Sequence, residues 1–110
     1  METLEAFGVV DIRVGTIVAA EPFPEARKPA YKVTVDFGGE IGIKRSSVQI
    51  TVRYALDALI GRQVLAVVNF PPKRIAGFQS EVLVLGVPDE SGSVVLIRPD
   101  FPVSDGGRLY

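Results

Sequence analysis

The chain contains neither cysteine nor histidine. Without cysteine there is no disulfide, no thiolate nucleophile and no zinc–thiolate site. Without histidine the commonest general base and the commonest metal ligand are both gone. The carboxylates are scattered and fit no EF-hand or other metal motif, so no metal or cofactor is expected. A small domain without disulfides must be held by its core or by oligomerisation, and it suits a reducing compartment, the cytoplasm. No apolar run approaches the ~18 residues of a membrane helix, so no membrane insertion is expected. The segment Met1–Glu5 is acidic and lacks the basic stretch that opens a signal peptide. The glycines at 38–39, 86 and 106–107 read as turns or bulges, and none forms a phosphate-cradling loop.

What remains is a short and rather apolar chain. Its 110 residues predict one domain spanning 1–110. Apolar residues make up 47% of it and the mean hydropathy is +0.30, a high value for a small domain. Part of that apolar surface is expected to face a partner or a second copy. The net charge of −1 conceals an uneven distribution. Residues 26–80 hold nine cations and three anions, whereas residues 1–25 sum to −4 and residues 81–110 to −3. A basic middle between acidic ends can form an electropositive patch.

Periodicity predicts strands. Thr3 to Phe7 suits one helical turn capped by Thr3. Ile12, Val14, Thr16 and Val18 alternate along a first strand, which the two prolines of Glu21–Glu25 terminate. Tyr31, Val33, Val35 and Phe37 alternate most cleanly, and Gly38-Gly39 predicts a tight hairpin. Ile41, Ile43 and Arg45 share one face of the returning strand. Tyr54 to Ile60 has helical spacing, with Gly61 as its stop. Gln63–Phe70 and Ser80–Val87 follow as strands, and Val94–Ile97 pairs back. With no βαβ repeat, a parallel sheet is not expected. The pattern predicts an all-β, five-stranded OB-fold Greek-key barrel, with a short helix between strands 3 and 4 and a short N-terminal helix. Strands 64–70, 82–87 and 94–97 are apolar on both faces, which predicts a cover by the terminal helix or by a second subunit in a two-fold dimer.

Enzyme signals are weak. Ser46 and Ser47 follow Lys44-Arg45, but no oxyanion-hole or elbow motif surrounds them, and they read as turn serines. No catalytic residue is assigned. The stretch Asn69–Ser80 reads as a loop and is the best binding element. It joins an amide, two cations, two apolar side chains and Gly77. Such a mixture suits phosphates and bases, or an extended polypeptide.

Several segments taken in order carry a resemblance. They are Asp11–Gly15, Ala26–Lys32 with Val35–Gly38, Lys44–Ile50, Leu59–Arg62, Val68-Asn69 and Gly77–Gly86. Together the sequence resembles the tRNA-binding-domain family, OB-fold modules appended to some aminoacyl-tRNA synthetases and also found as free dimers. Within it, the chain is similar to the export-related, chaperone-like branch of bacteria and archaea. The resemblance implies an OB barrel, a homodimer built with help from the terminal segments, and no catalysis. It implies two alternative ligands: unfolded or precursor proteins together with the secretion machinery, or tRNA recognised by shape.

For a polypeptide, the expected groove is Tyr31, Phe37, Asn69, Ile75, Phe78 and Ser80. For tRNA, the expected contacts are Arg27, Lys28, Lys44, Arg45, Lys73 and Arg74. Family members that bind tRNA carry Ser-Gln-Gly-Met where this chain has Ser80-Glu81-Val82-Leu83. A carboxylate near phosphate costs on the order of 1 kcal/mol, and Val82 restricts the backbone. The departure therefore tilts expectation toward the polypeptide.

Overall fold

The structure is a computed structural model describing residues 1–110. Helix α1 (Thr3–Val9) leads into strand β1 (Ile12–Pro22), followed by β2 (Tyr31–Asp36), β3 (Ile43–Val48), helix α2 (Leu56–Leu59) and β4 (Gln63–Val67). Then come β5 (Lys73–Ile75), β6 (Phe78–Ser80), β7 (Leu83–Val84), β8 (Gly86–Pro88) and β9 (Val94–Leu96). The main sheet has the order β3-β2-β1-β4-β7, all neighbours antiparallel. The gap between β3 and β7 is bridged by Arg45 and Glu81, whose backbone groups bond at 2.8 Å. Five strands thus nearly close into an OB barrel, with α2 between β3 and β4 as expected.

Strand β1 must serve two neighbours. Residues 12–16 pair with β4 and residues 16–22 with β2, and a register shift between Ile17 and Ala19 marks the bend. A bulge of this kind increases local twist, which barrel closure requires. Gly15 sits at the tightest point: a Cβ there would stand 2.6 Å from Val35 Cγ1 and 2.7 Å from Phe37 Cδ1. The inward residues of β1 are therefore Gly15 and Ile17. The face of Ile12, Val14 and Thr16 points out, and the bulge leaves Val18 exposed.

The core gathers Ile17, Val33, Val35, Phe37, Ile50, Leu59 and Val64, each at 2% exposure or less. The alternation of β2 is thus borne out, and it makes Phe37 a core residue. In β3 the inward positions are Ser46 and Val48, so Ile43 turns to solvent rather than inward with Ile41. Ser46 and Ser47 lie within the strand, not in a turn. Buried Ser46 donates to the Val82 carbonyl at 2.8 Å, which satisfies its hydroxyl. The β2–β3 turn is longer than Gly38-Gly39 predicts, with positive φ at Gly38 and Gly42 but not at Gly39.

Three further expectations are corrected. The stretch 73–80 is a two-stranded hairpin, not a loop. Ala76 (φ 47°) and Gly77 (φ 81°) give its turn two positive φ angles, the geometry that matches strand twist. Strand 80–87 is broken into β7 and β8. Helix α1 covers nothing: none of its residues is buried, and Glu2 rather than Thr3 caps it by accepting from the Leu4 N–H. The outer face of Val14 and Leu65 is instead sheltered by the C-terminal segment. That segment takes the edge of β1 that β2 leaves free, through bonds from Val14 to Gly107 and from Leu109 to Ile12. Thr16 donates to Asp105 and Gln63 bonds Val103, which fastens the segment along its length.

Candidate nucleic-acid interface

A second apolar cluster lies outside the barrel. Phe23 and Ala30, from the β1–β2 connection, pack with Phe78 of β6, and Ala26 and Ile75 join from either side. The rings of Phe23 and Phe78 meet edge-to-face with centroids 5.4 Å apart. Pairs of this geometry contribute about 0.5–1.5 kcal/mol beyond area burial. The sequence produces the cluster simply: prolines at 22 and 24 stop β1 and turn Phe23 back. The hairpin register then places Ile75 opposite Phe78, so both side chains share one face.

The cluster joins the segments that bear the cations. Arg27 and Lys28 lie between Ala26 and Ala30. Lys73 and Arg74 precede Ile75 in β5. On the outward face of β2 and β3, the Lys32 ammonium lies 4.7 Å from the Phe23 centroid and 5.2 Å from that of Phe78. The Arg45 guanidinium lies 4.8 Å from the Phe78 centroid and pairs with Glu21 at 2.9 Å. The β1–β2 loop, the β2–β3 face and the loop after β4 are the surfaces on which OB barrels bind oligonucleotides. Here they form one basic rim around two aromatic rings.

The predicted RNA residues therefore divide. Arg45 stands at the ring pair, Arg27 and Lys28 are in the β1–β2 connection, and Lys73 shares the hairpin face of Ile75 while Arg74 takes the opposite one. Lys44 shares the inward register of Ser46 and Val48 and stands on the other side of β3. Lys32 and Phe23 were missed as site residues. The alternation of β2 set Lys32 opposite the core face, but the rings that hold it come from segments distant in sequence.

The predicted polypeptide groove does not assemble. Phe37 is wholly enclosed in the core and Phe78 is 8% exposed, flanked by cations. The Tyr31 hydroxyl donates to the Tyr54 carbonyl. Ser80 Oγ accepts from the Ser47 N–H at 3.0 Å, docking the hairpin onto β3. Asn69 is committed at both ends of its amide, accepting from Asp11 N–H and donating to the Val9 carbonyl. Ile75 alone keeps a half-buried side chain with no polar duty. What the structure offers instead is a groove of about 340 Å³ beside the rim, walled by Pro22, Phe23, Pro24, Pro29 and Tyr31.

A different constellation gathers at the termini. Asp11 accepts from Arg13 Nε at 2.6 Å and lies 3.4 Å from Arg108 Nε. The hydrogen bond from Arg13 is the main reason its carboxyl is held below the usual range. Arg108 also donates to the Gly8 carbonyl, so the end of α1 is tied to the tail. Two adjoining apolar grooves of about 550 and 570 Å³ result, with Leu109 and Tyr110 in both walls. Leu4 and Phe7 line one, Val14 and Leu65 the other. The structure contains no group of three or more acidic side chains that could hold a metal ion. No helix is long and apolar enough to cross a membrane.

Barrel, rim and exposed apolar ends define an OB-fold binding module. A family model described as a tRNA binding domain matches residues 12–108, and the chain belongs to that family. Two solved structures of the chaperone CsaA are similar over the whole chain. That from Bacillus anthracis has a TM-score of 0.92 and 53% identity, covering 100% of this chain and 99% of the other. That from Picrophilus torridus has 0.93 and 50%, covering 100% of both. The methionine–tRNA ligase of Methanoculleus marisnigri is 39% identical over 101 residues, 91% of this chain. The chain spans 15% of that ligase's length.

Proposed function

We propose that the chain is a non-catalytic, homodimeric binding module of the cytoplasm, and that its basic rim binds tRNA. The observation that carries this is the setting of Lys32 and Arg45 against the Phe23–Phe78 pair of an OB barrel, with Lys73 and Arg74 on the hairpin that supplies Phe78. Cations spaced over several strands and loops suit a folded polyanion whose phosphates are presented in three dimensions. The departure at Glu81 weighs less against RNA than its charge alone suggests, because its carboxylate is bonded to the Arg45 N–H.

The alternative ligand is a non-native or precursor polypeptide held for export by the secretion machinery. Its support is the full-length likeness to two CsaA chaperones, together with the proline-walled groove beside the rim. The two differ in what supplies affinity: phosphate neutralisation falls steeply with salt, whereas apolar burial of roughly 25 cal/mol per Å² does not. Labelled tRNA and a labelled unfolded precursor are titrated against the wild type and against Lys73→Glu/Arg74→Glu at several salt concentrations. The RNA function requires tRNA binding that weakens at least about tenfold in the double variant. Tight, salt-insensitive binding of the precursor with none of tRNA would make the chaperone function the answer.

A further inference from the structure

Among the rim cations, Lys32 stands apart. It is half-buried and makes no ion pair. Its cross-strand neighbour on β1 is Glu21, the natural partner, but the Glu21 carboxylate is drawn to Arg45 at 2.9 Å. The ammonium is instead held between two ring faces at 4.7 and 5.2 Å. A lysine on the surface ordinarily loses rotamer freedom when it engages a ligand. Here that freedom is already restricted, and the charge is kept without an anion to cancel it. Lys73 and Arg74 also make no ion pair, but they are exposed on the hairpin and no ring holds them.

We infer that Lys32 is the fixed phosphate-anchoring residue of this face, with Phe23 and Phe78 as positioning residues that hold its ammonium ready. The aromatic pair then serves the RNA through the lysine, and base stacking on Phe78 is not its role, since its ring is flanked by Lys32 and Arg45. The inference rests on the RNA function proposed above and names the residue at its centre.

Unfractionated tRNA is titrated against wild type, Lys32→Met, Lys32→Arg, Phe78→Leu, Lys32→Met/Phe78→Leu and Lys73→Glu/Arg74→Glu over a range of salt, with a thermal melt of each. Lys32→Met should weaken binding at least about tenfold and reduce the slope of log K against log salt by about one contact's worth. Lys32→Arg should recover most of the loss. Phe78→Leu should weaken binding several-fold alone and add nothing in the Lys32→Met background, the signature of two residues acting as one. Wild-type affinity and slope in Lys32→Met, with loss in Lys73→Glu/Arg74→Glu, would overturn the inference and leave the RNA function standing. A loss in Lys32→Met that arginine does not restore and that tracks a lowered melting temperature would make Lys32 structural and likewise overturn it. If the wild type does not bind tRNA at any salt, the RNA function fails and the inference with it.

Discussion

The Glu81 carboxylate accepts the backbone N–H of Arg45 at 3.0 Å, while the Glu81 N–H donates to the Arg45 carbonyl at 2.8 Å. One residue thus closes the barrel between β3 and β7 and brings a negative charge to the edge of the basic rim. Its role in closure needs an acceptor oxygen, not a charge.

Glu81→Gln keeps that oxygen and removes the charge. The melting temperature should change little, and tRNA affinity should rise by roughly twofold at low salt, less than the about 1 kcal/mol of an unbonded carboxylate at this range. The gain should shrink as salt screens the rim. Filter binding at two salt concentrations reads both effects. Val82→Gly, by contrast, empties a core position and should cost about 2–4 kcal/mol in denaturant unfolding.

Asn69→Ala should loosen the N-terminus without touching the rim. It leaves the Asp11 N–H and Val9 carbonyl without the amide, at a cost of about 1–3 kcal/mol. Urea unfolding should register the loss, and amide exchange should quicken at Asp11. Affinity for tRNA or for an unfolded precursor should stay at the wild-type value. A specific loss of either would return Asn69 to the ligand site.

Helix α1 has seven residues and buries none of them, although Leu4, Phe7 and Val9 are apolar. A helix below ~12–15 residues is marginal on its own in water, so a second copy is the natural cover for this end of the molecule. Light scattering should give about twice the 11.8 kDa chain mass. Phe7→Asp places a charge in the groove between α1 and the tail and should shift the mass toward a single chain. A wild type that stays at one chain mass at micromolar concentration would contradict the dimer.

Asp11 gives the clasp at the termini a sign in pH. Its folded carboxyl is held below the ordinary aspartate value of about 3.9 by the Arg13 hydrogen bond. Its contribution is therefore complete above that value and fades as pH falls through the lower, folded one. Asp11→Asn should flatten the decline in melting temperature below about pH 4, while near neutrality the variant should melt lower than wild type.

Much of the fold was legible because it rests on local pattern. The strict alternation from Tyr31 to Phe37 follows from the two-residue period of a strand, and it places Val33, Val35 and Phe37 in the core as read. Gly61 ended α2 with a positive φ because no other residue adopts it at so little cost. The alternation of β1 holds as far as Val18, but a bulge there adds one residue to the count and reverses the faces beyond it, so that Ala20 turns to the core. Lys73–Ser80 read as a loop because neither Pro71-Pro72 nor a three-residue strand gives a periodic signal, and Ala76 is an unusual residue for a positive φ.

The sequence by itself determined the barrel, its basic middle and its surplus of apolar surface, because these are set by composition and by residue spacing along a strand. Only the tertiary structure decided what each candidate residue does. Phe37 became core, Asn69 a clamp and Ser80 a dock for the hairpin, while Phe23 and Lys32 entered the site unannounced. The physical reason is that the site is made by contacts across long stretches of chain. Phe23 and Phe78 meet 5.4 Å apart only once β1, β2 and the β5–β6 hairpin have closed around the barrel, and no local spacing encodes that meeting.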